Sequence, residues 1–436
     1  MELLARVRFP VAALGVIKMA YQTVRGMQDF LPERARKKKY IEQVCKEAFE
    51  KYGFSPLETP IVEELGLLTA KGSGGAEIEN EIYSFEDKSG RKLGLRFDLT
   101  VPVSRVVAEN KALKMPFKRY QIGRVYRYDR PQASRYREFT QADIDIFGSK
   151  SILCEFELIA ATAEIMQKLG LDFYIIINSR ELLENLILAC GVPKDKLVDC
   201  FRAIDKAEKI GWDGVKEALE EKKISVGMIP LLKESSLEKA ENKISAGKLS
   251  LGGIEKLKEL FKLLKAEKLD KFVKLDLALA RGLEYYTGMV FEVKVEKGPS
   301  VGGGGRYDRL VKLYGGQDVA ATGISFGIER LVDSLAGLEL PAEARILVVP
   351  VSGTEKEALS LTQRIRSLGV NAEIDLMNRG IGKNIQFADG KGIPFVAVIG
   401  EKEISGKKFK VKDLETGRET KFGFSELDKL KALVKG

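Results

Sequence analysis

Between Arg137 and Ile146 the chain alternates with a period of two. Thr140, Ala142, Ile144 and Ile146 fall on one side, and Arg137, Phe139, Gln141, Asp143 and Asp145 on the other. This parity predicts a β-strand whose two faces have different surroundings. A strand from Gly123 and a charged loop precede it, so Gly123–Gly148 reads as a strand–loop–strand hairpin. The polar line carries an aromatic ring, an amide, two acids and a base, and the preceding strand and loop add Arg124, Arg127, Arg130 and Arg135. Alternation alone fits the solvated face of an antiparallel sheet. The density of arginine around one hairpin suits instead a flat anionic ligand together with a small cationic one.

Elsewhere the period changes to that of helices. Ile41, Val44, Cys45, Ala48, Phe49 and Tyr52 recur at three and four, predicting a helix from Pro32 through Lys51 that stops at Gly53. Pro56 to Pro60 reads as a strand at a sheet edge or a strand terminus, and Gly72 to Gly75 as a loop. A strand in Lys92–Val103 is expected to end in Asp98-Leu-Thr100, and Ser151–Leu169 to form a long helix. From Ser179 to Lys274 the pattern is helical and rich in Lys, Glu and Leu, an inserted helical domain. Strand signals return at Met289–Val295. Gly302 to Gly305 follow, then a helix from Tyr307, and Gly323–Gly327 leads into another helix. After a linker at 338–343, strands at Ile346–Val351, Asn371–Asp375 and Phe395–Ile399 alternate with helices at Lys356–Leu368 and Ile381–Lys391. That order predicts a small α/β domain with a largely parallel sheet.

Composition narrows the chemistry. The 436 residues suffice for two to four domains, and the net charge is +9. From Ala344 to Gly436 there are 17 Lys and Arg against 12 Asp and Glu, a weak pointer to nucleic acid. Cys45, Cys154, Cys190 and Cys200 form no CxxC pair, which argues against a zinc ribbon or disulfide framework and for free thiols in a reducing cytoplasm. The apolar run from Phe9 to Ala20 is too short to span a bilayer and contains Lys18, so no membrane association is expected. Residues 1–20 read as an extension, with Met19 an alternative start. The chain contains no histidine. This excludes Ser-His-Asp triads, Cys-His dyads and His-ligated metals, and leaves carboxylates, Lys, Tyr or the substrate as general base. No Walker loop and no strand-following GxGxxG occur, so any ATP must be held by the arginine-rich hairpin.

These segments together resemble the class II aminoacyl-tRNA synthetases, and most closely the histidyl-tRNA synthetase family. Arg25-Gly-Met-Gln-Asp-Phe-Leu-Pro32 is similar to its opening signature. The Pro32–Pro60 segment resembles motif 1, the hairpin motif 2, and Gly323-Ile-Ser-Phe-Gly-Ile-Glu-Arg330 motif 3. Leu279-Ala-Arg-Gly-Leu-Glu-Tyr-Tyr-Thr287 resembles the family's histidine signature, and Lys391–Glu401 its anticodon-binding domain. The resemblance implies a multidomain α/β chain. Its catalytic core would be an antiparallel sheet with helices, split into 21–178 and 275–337 around a helical insertion at 179–274. A C-terminal α/β anticodon-binding domain would occupy 344–436. It also implies a cytoplasmic homodimer formed through motif 1.

By resemblance, Arg127 and Arg281 are the catalytic arginines. ATP would be held by Arg127, Asp129, Arg135, Phe139 and Arg330, with Asp129 reading the adenine edge, Phe139 and Arg330 sandwiching the base and Arg135 on the γ-phosphate. L-Histidine would be held by Asp98, Thr100, Arg127, Gln141, Asp145, Arg281, Tyr285 and Tyr286, with Asp145 and Tyr286 on the imidazole nitrogens. Gly302 to Gly305 would let backbone close on the intermediate, and Gln132 would touch tRNA. Mg²⁺ would arrive on the ATP, with no protein metal ligands expected. Ser134 stands where glycine is frequent, and Asp98 and Asp145 are shorter than the Glu of many members. The implied reaction is ligation of histidine to its tRNA through histidyl-adenylate. The alternative is a histidine-sensing regulatory subunit of ATP phosphoribosyltransferase, a paralogue that typically lacks the C-terminal domain.

Overall fold

The computed structural model describes residues 21–70, 80–130, 134–280, 286–296 and 298–435. The N-terminal extension and the Gly72–Gly75 loop lie outside them. The chain forms two compact units that divide between Gly337 and Leu338.

The strands of the first unit are β1 (Ser55–Pro56), β2 (Val62–Glu64), β3 (Ser84–Glu86), β4 (Lys92–Leu95), β5 (Phe117–Tyr126), β6 (Glu138–Phe147), β7 (Phe173–Ser179), β8 (Val273–Leu275), β9 (Met289–Val295), β10 (Ser300–Arg306) and β11 (Ala321–Gly327). Eight of them form one sheet in the order β1-β5-β6-β11-β10-β9-β7-β8. Its interior pairs are antiparallel, and only the edge pairs β1/β5 and β7/β8 are parallel. Of the expected Pro56–Pro60 strand only Pro56 pairs, with Ser55 before it, at the sheet edge, where a proline's missing N–H costs no ladder bond.

The helix Pro32–Lys51 covers one face of the hairpin strands, with the helix Leu153–Lys168 beside it. Gly53 ends the first helix at φ +75°, a left-handed conformation that suits glycine. Phe49 packs 5.7 Å from Tyr120 and 6.5 Å from Phe326 between ring centres. Motif 3's Glu329 ties the layers together. Its carboxylate accepts the Thr140 N–H at 2.7 Å and Lys38 Nζ at 2.6 Å, and only 2% of it is exposed. Arg306 grips the buried Glu155 through Nε at 2.6 Å and Nη2 at 2.9 Å, fixing β10 to the Leu153–Lys168 helix. Between β7 and β8 the chain is helical, from Arg180 to Ala266, with Ser179 and Ser236 capping two of the helices through their hydroxyls.

Two expectations change. The strand starting at Lys92 ends at Leu95, and Thr100 opens a helix to Glu109. Asp98 accepts the Val101 N–H at 3.0 Å, a donor of the first turn that the helix cannot satisfy itself. The glycines 302–305, expected only to follow the Met289–Val295 strand, belong to a further strand, β10, and the helix after Tyr307 is one turn, Leu310–Leu313.

The second unit has strands β12 (Ile346–Pro350), β13 (Ala372–Ile374), β14 (Phe395–Ile399), β15 (Lys408–Asp413) and β16 (Glu419–Gly423), in the order β13-β12-β14-β15-β16. The first three are parallel, as the alternation of strands and helices predicts. The last two add an antiparallel hairpin, so the sheet is mixed. In β15, lysines alternate with the buried Phe409 and Val411, a period-two pattern hidden by its charge. The overall class is a mixed α/β fold with a large antiparallel-rich sheet and a C-terminal α/β unit.

Candidate active site

The odd face of β6 lies under a cavity of about 260 Å³. Sheet register decides what stands beside it. Asp145 lies between Arg119 and Gly323, Asp143 between Gln121 and Ser325, and Gln141 between Gly123 and Gly327. Glycines make the room. A Cβ at Gly323 would overlap the Asp145 carboxylate, and one at Gly123 would lie 2.6 Å from Arg96 Nη2.

The closed end collects three buried carboxyls. Asp145 pairs with Arg119, whose side chain is fully buried, and accepts the Tyr307 hydroxyl. Burial nevertheless raises the Asp145 carboxyl above its usual range, and Arg119 and Tyr307 only oppose the shift. Burial pushes Asp143 up to about 7, with Arg119 and a hydrogen bond from Ser325 pulling down and Asp145 and Asp98 pushing up. Asp98 rises to about 6 for the same first reason, with the Val101 N–H, Arg127 and Arg119 opposing. Gln141 donates Nε2 to Ser325 Oγ at 2.9 Å. Such an end favours a cation that restores the charge balance.

The open end is basic. Arg127 donates Nε to the Phe97 carbonyl at 3.0 Å, and its guanidinium lies 5.3 Å from the Phe139 ring centre. Asp129 and Arg135 form an ion pair, and Asp129 Oδ1 also accepts the Arg130 N–H. Arg330 donates to the Ser300 carbonyl at 2.7 Å and the Ser134 carbonyl at 3.3 Å. The Arg127 guanidinium thus lies over the Phe139 ring. This end suits phosphates and a flat ring.

Asp98, Thr100, Arg127, Asp129, Arg135, Phe139, Gln141, Asp145, Tyr286 and Arg330 all line this one cavity, with Gly302, Gly303 and Gly304 on its wall. Arg281, Tyr285 and Gln132 lie outside the described residues. Sequence reasoning missed Arg119, Tyr307 and Ser325, and gave Asp143 no role. A signal existed for Arg119. Continuing the strand back from Gly123 to Phe117 and pairing it antiparallel with β6 sets Arg119 opposite Asp145.

Compared with known proteins, residues 26–331 match the family described as histidyl-tRNA synthetase, and 345–432 match the anticodon binding domain. Histidine–tRNA ligase 1 of Bacillus anthracis is 35% identical over 422 residues, covering 94% of this chain and 99% of its own length. The crystal structure of histidyl-tRNA synthetase from Nostoc sp. PCC 7120 has a TM-score of 0.83 at 32% identity, over 95% of this chain and 100% of that one. A Bacillus halodurans C structure described as an ATP phosphoribosyltransferase regulatory subunit/histidyl-tRNA synthetase has a TM-score of 0.72 at 24% identity, over 85% and 96%, a likeness of fold.

Proposed function

Because this chain belongs to the histidyl-tRNA synthetase family, we propose that the cavity beneath the Gly123–Gly148 hairpin is where histidine and ATP react. The chain is an aminoacyl-tRNA synthetase that joins histidine to its tRNA in an ATP-dependent reaction. The residue roles are our reading. Arg127 holds the carboxylate of histidine against the α-phosphate, a bidentate task that lysine could not perform. Phe139 stacks on adenine, Arg330 closes its other face, Asp129 meets its edge and Arg135 the γ-phosphate. Asp98, Thr100, Gln141, Asp145 and Tyr286 surround the amino acid. Arg281, Tyr285 and Gln132 keep the roles that the motifs suggest. What supports this reading is one cavity with arginines at its mouth and carboxyls at its floor.

In the first step the histidine carboxylate attacks the α-phosphorus in line and pyrophosphate leaves. In the second, the terminal ribose hydroxyl of tRNA attacks the activated carbonyl and AMP leaves. Positioning and charge neutralisation carry both steps. Mg²⁺ enters as part of the ATP substrate. With no histidine in the chain, the adenylate phosphate itself accepts the hydroxyl proton. Residues 21–178 and 275–337 are the catalytic core and 179–274 an inserted helical domain. Residues 344–436 read the anticodon, whose unstacked bases expose their edges. The enzyme works as a cytoplasmic dimer through motif 1.

ATP–pyrophosphate exchange with each of the twenty amino acids tests this. Exchange is expected with histidine alone, followed by charging of histidine tRNA. Exchange with another amino acid would overturn the specificity. Histidine binding without exchange would favour the regulatory-subunit reading, against which the C-terminal match to the anticodon domain speaks.

A further inference from the structure

Strand β7 runs apolar through Ile175, Ile176 and Ile177 and then turns polar at Asn178, which is fully buried. An amide in such surroundings is tolerated when its donors and its acceptor are paired. Asn178 Nδ2 donates to the carbonyls of Leu277 and Leu279, each at 3.1 Å, and Oδ1 accepts the Ser179 N–H at 2.8 Å. Both donors thus go to one turn, residues 276–279.

The helical insert holds the same turn. Ser235 ends the helix Ile229–Glu234 at φ +51°. Its Oγ accepts the Leu277 N–H at 3.0 Å and donates to the Leu232 carbonyl at 3.0 Å. The turn also closes on itself. Asp276 Oδ1 accepts the Ala278 N–H at 2.8 Å, and the Asp276 carbonyl accepts the Leu279 N–H at 3.1 Å. Leu279, at its end, forms an apolar cluster with Ile176 and Val290, and Tyr286 packs against that cluster. A Cβ at Gly305 would lie 3.0 Å from the Tyr286 ring, so the tyrosine is confined by the cluster and by β10. Two residues beyond Tyr286, the Gly288 carbonyl accepts the Arg180 N–H at 2.8 Å.

We propose that Asn178 and Ser235 are positioning residues for Tyr286; this rests on the reading that Tyr286 holds the imidazole of histidine. They fix the turn whose Leu279 supports the tyrosine on the cavity wall, Asn178 from the catalytic sheet and Ser235 from the helical insert. Neither residue lines the cavity, so their effect on substrate passes through the turn. The insert and the amino-acid pocket are thereby tied mechanically. A displacement of the helix Ile229–Glu234 that breaks the Ser235–Leu277 bond leaves the turn held by Asn178 and its own bonds, and Tyr286 is less firmly aimed.

Histidine-dependent pyrophosphate exchange on the full chain tests this. Ser235→Gly removes the hydroxyl and suits the left-handed backbone. Asn178→Asp keeps an acceptor for the Ser179 N–H and removes both donors to the turn. Each should raise the histidine KM about 3- to 10-fold, the scale of one misaligned hydrogen bond, with the ATP KM within about twofold of wild type. A role in stability alone would lower the melting temperature and leave both KM values where they were. In a Tyr286→Phe background, which lacks the hydroxyl to be aimed, Ser235→Gly should change the histidine KM less than about twofold. An unchanged histidine KM in Ser235→Gly, an equal rise in both KM values, or the full effect persisting in Tyr286→Phe overturns the positioning role. Should Asn178→Asp fail to fold, the Ser235→Gly results decide alone. A wild type without histidine-dependent exchange would instead sink the functional reading, and histidine affinity by calorimetry then replaces KM in the same comparison.

Discussion

At the scale of single residues, the site is governed by how few counter-charges its floor contains. Arg119 is fully buried and depends on Asp145. Asp145→Asn leaves that guanidinium unbalanced, and the variant should lose about 3–5 kcal/mol of stability by chemical denaturation. The raised carboxyls give a pH signature. Asp143 and Asp98 protonate at about 7 and about 6 in the folded chain, against ~4 when unfolded. Between those values the folded state holds protons that the unfolded state has released. Their contribution to stability is therefore present at low pH and lost as pH rises through 6 and 7. The melting temperature of Asp143→Asn relative to wild type, both without ligand, should accordingly rise from pH 5 to pH 8. These residues were only partly readable beforehand. Parity set Phe139, Gln141, Asp143 and Asp145 on one face because a strand alternates whatever it packs against. Arg119 escaped because a lone arginine among Phe117, Lys118 and Tyr120 shows its burial only once the strand is continued back and paired with β6. Ser325 escaped because its importance exists only across a sheet pairing.

At the scale of elements, the glycines of β10 matter more than their mobility. A Cβ at Gly304 would run into the Gly323 carbonyl and lie 2.6 Å from the Ile324 Cα, both backbone atoms that cannot step aside. Gly304→Ala should force β10 and β11 apart, costing about 1–3 kcal/mol, and should lower the rate of histidine-dependent exchange more than it lowers stability-matched controls. The helix Pro32–Lys51 was predictable from its apolar spacing, its N-terminal proline and Gly53. Strand β15 was not, because its alternating lysines look like a solvated charge run until Phe409 and Val411 are seen buried on the other side. The break between Leu95 and Thr100 was equally hidden. Asp98 there serves a helix start as well as the cavity, and neither use changes the residue type required.

At the scale of the whole molecule, each unit owns its core. The second buries Ile346, Val348, Leu361, Phe395, Phe409 and Leu430 within its own boundaries. A fragment of residues 338–436 should therefore unfold cooperatively in denaturant. A fragment of residues 21–337 should keep histidine-dependent pyrophosphate exchange. Its kcat/KM for tRNA should fall at least about 100-fold, the scale of losing a few kcal/mol of base contacts. Loss of exchange in a folded 21–337 fragment would show that activation needs the C-terminal unit. This organisation was readable from the spacing of strands and helices, because burying a sheet on both sides requires a regular return of the chain.

β6 packs against helices on one side and forms the cavity floor on the other. Inserting or deleting one residue within it would exchange the two sets of side chains, sending carboxylates under the helix and isoleucines to the substrate. The strand itself therefore tolerates substitution but not a one-residue change of length.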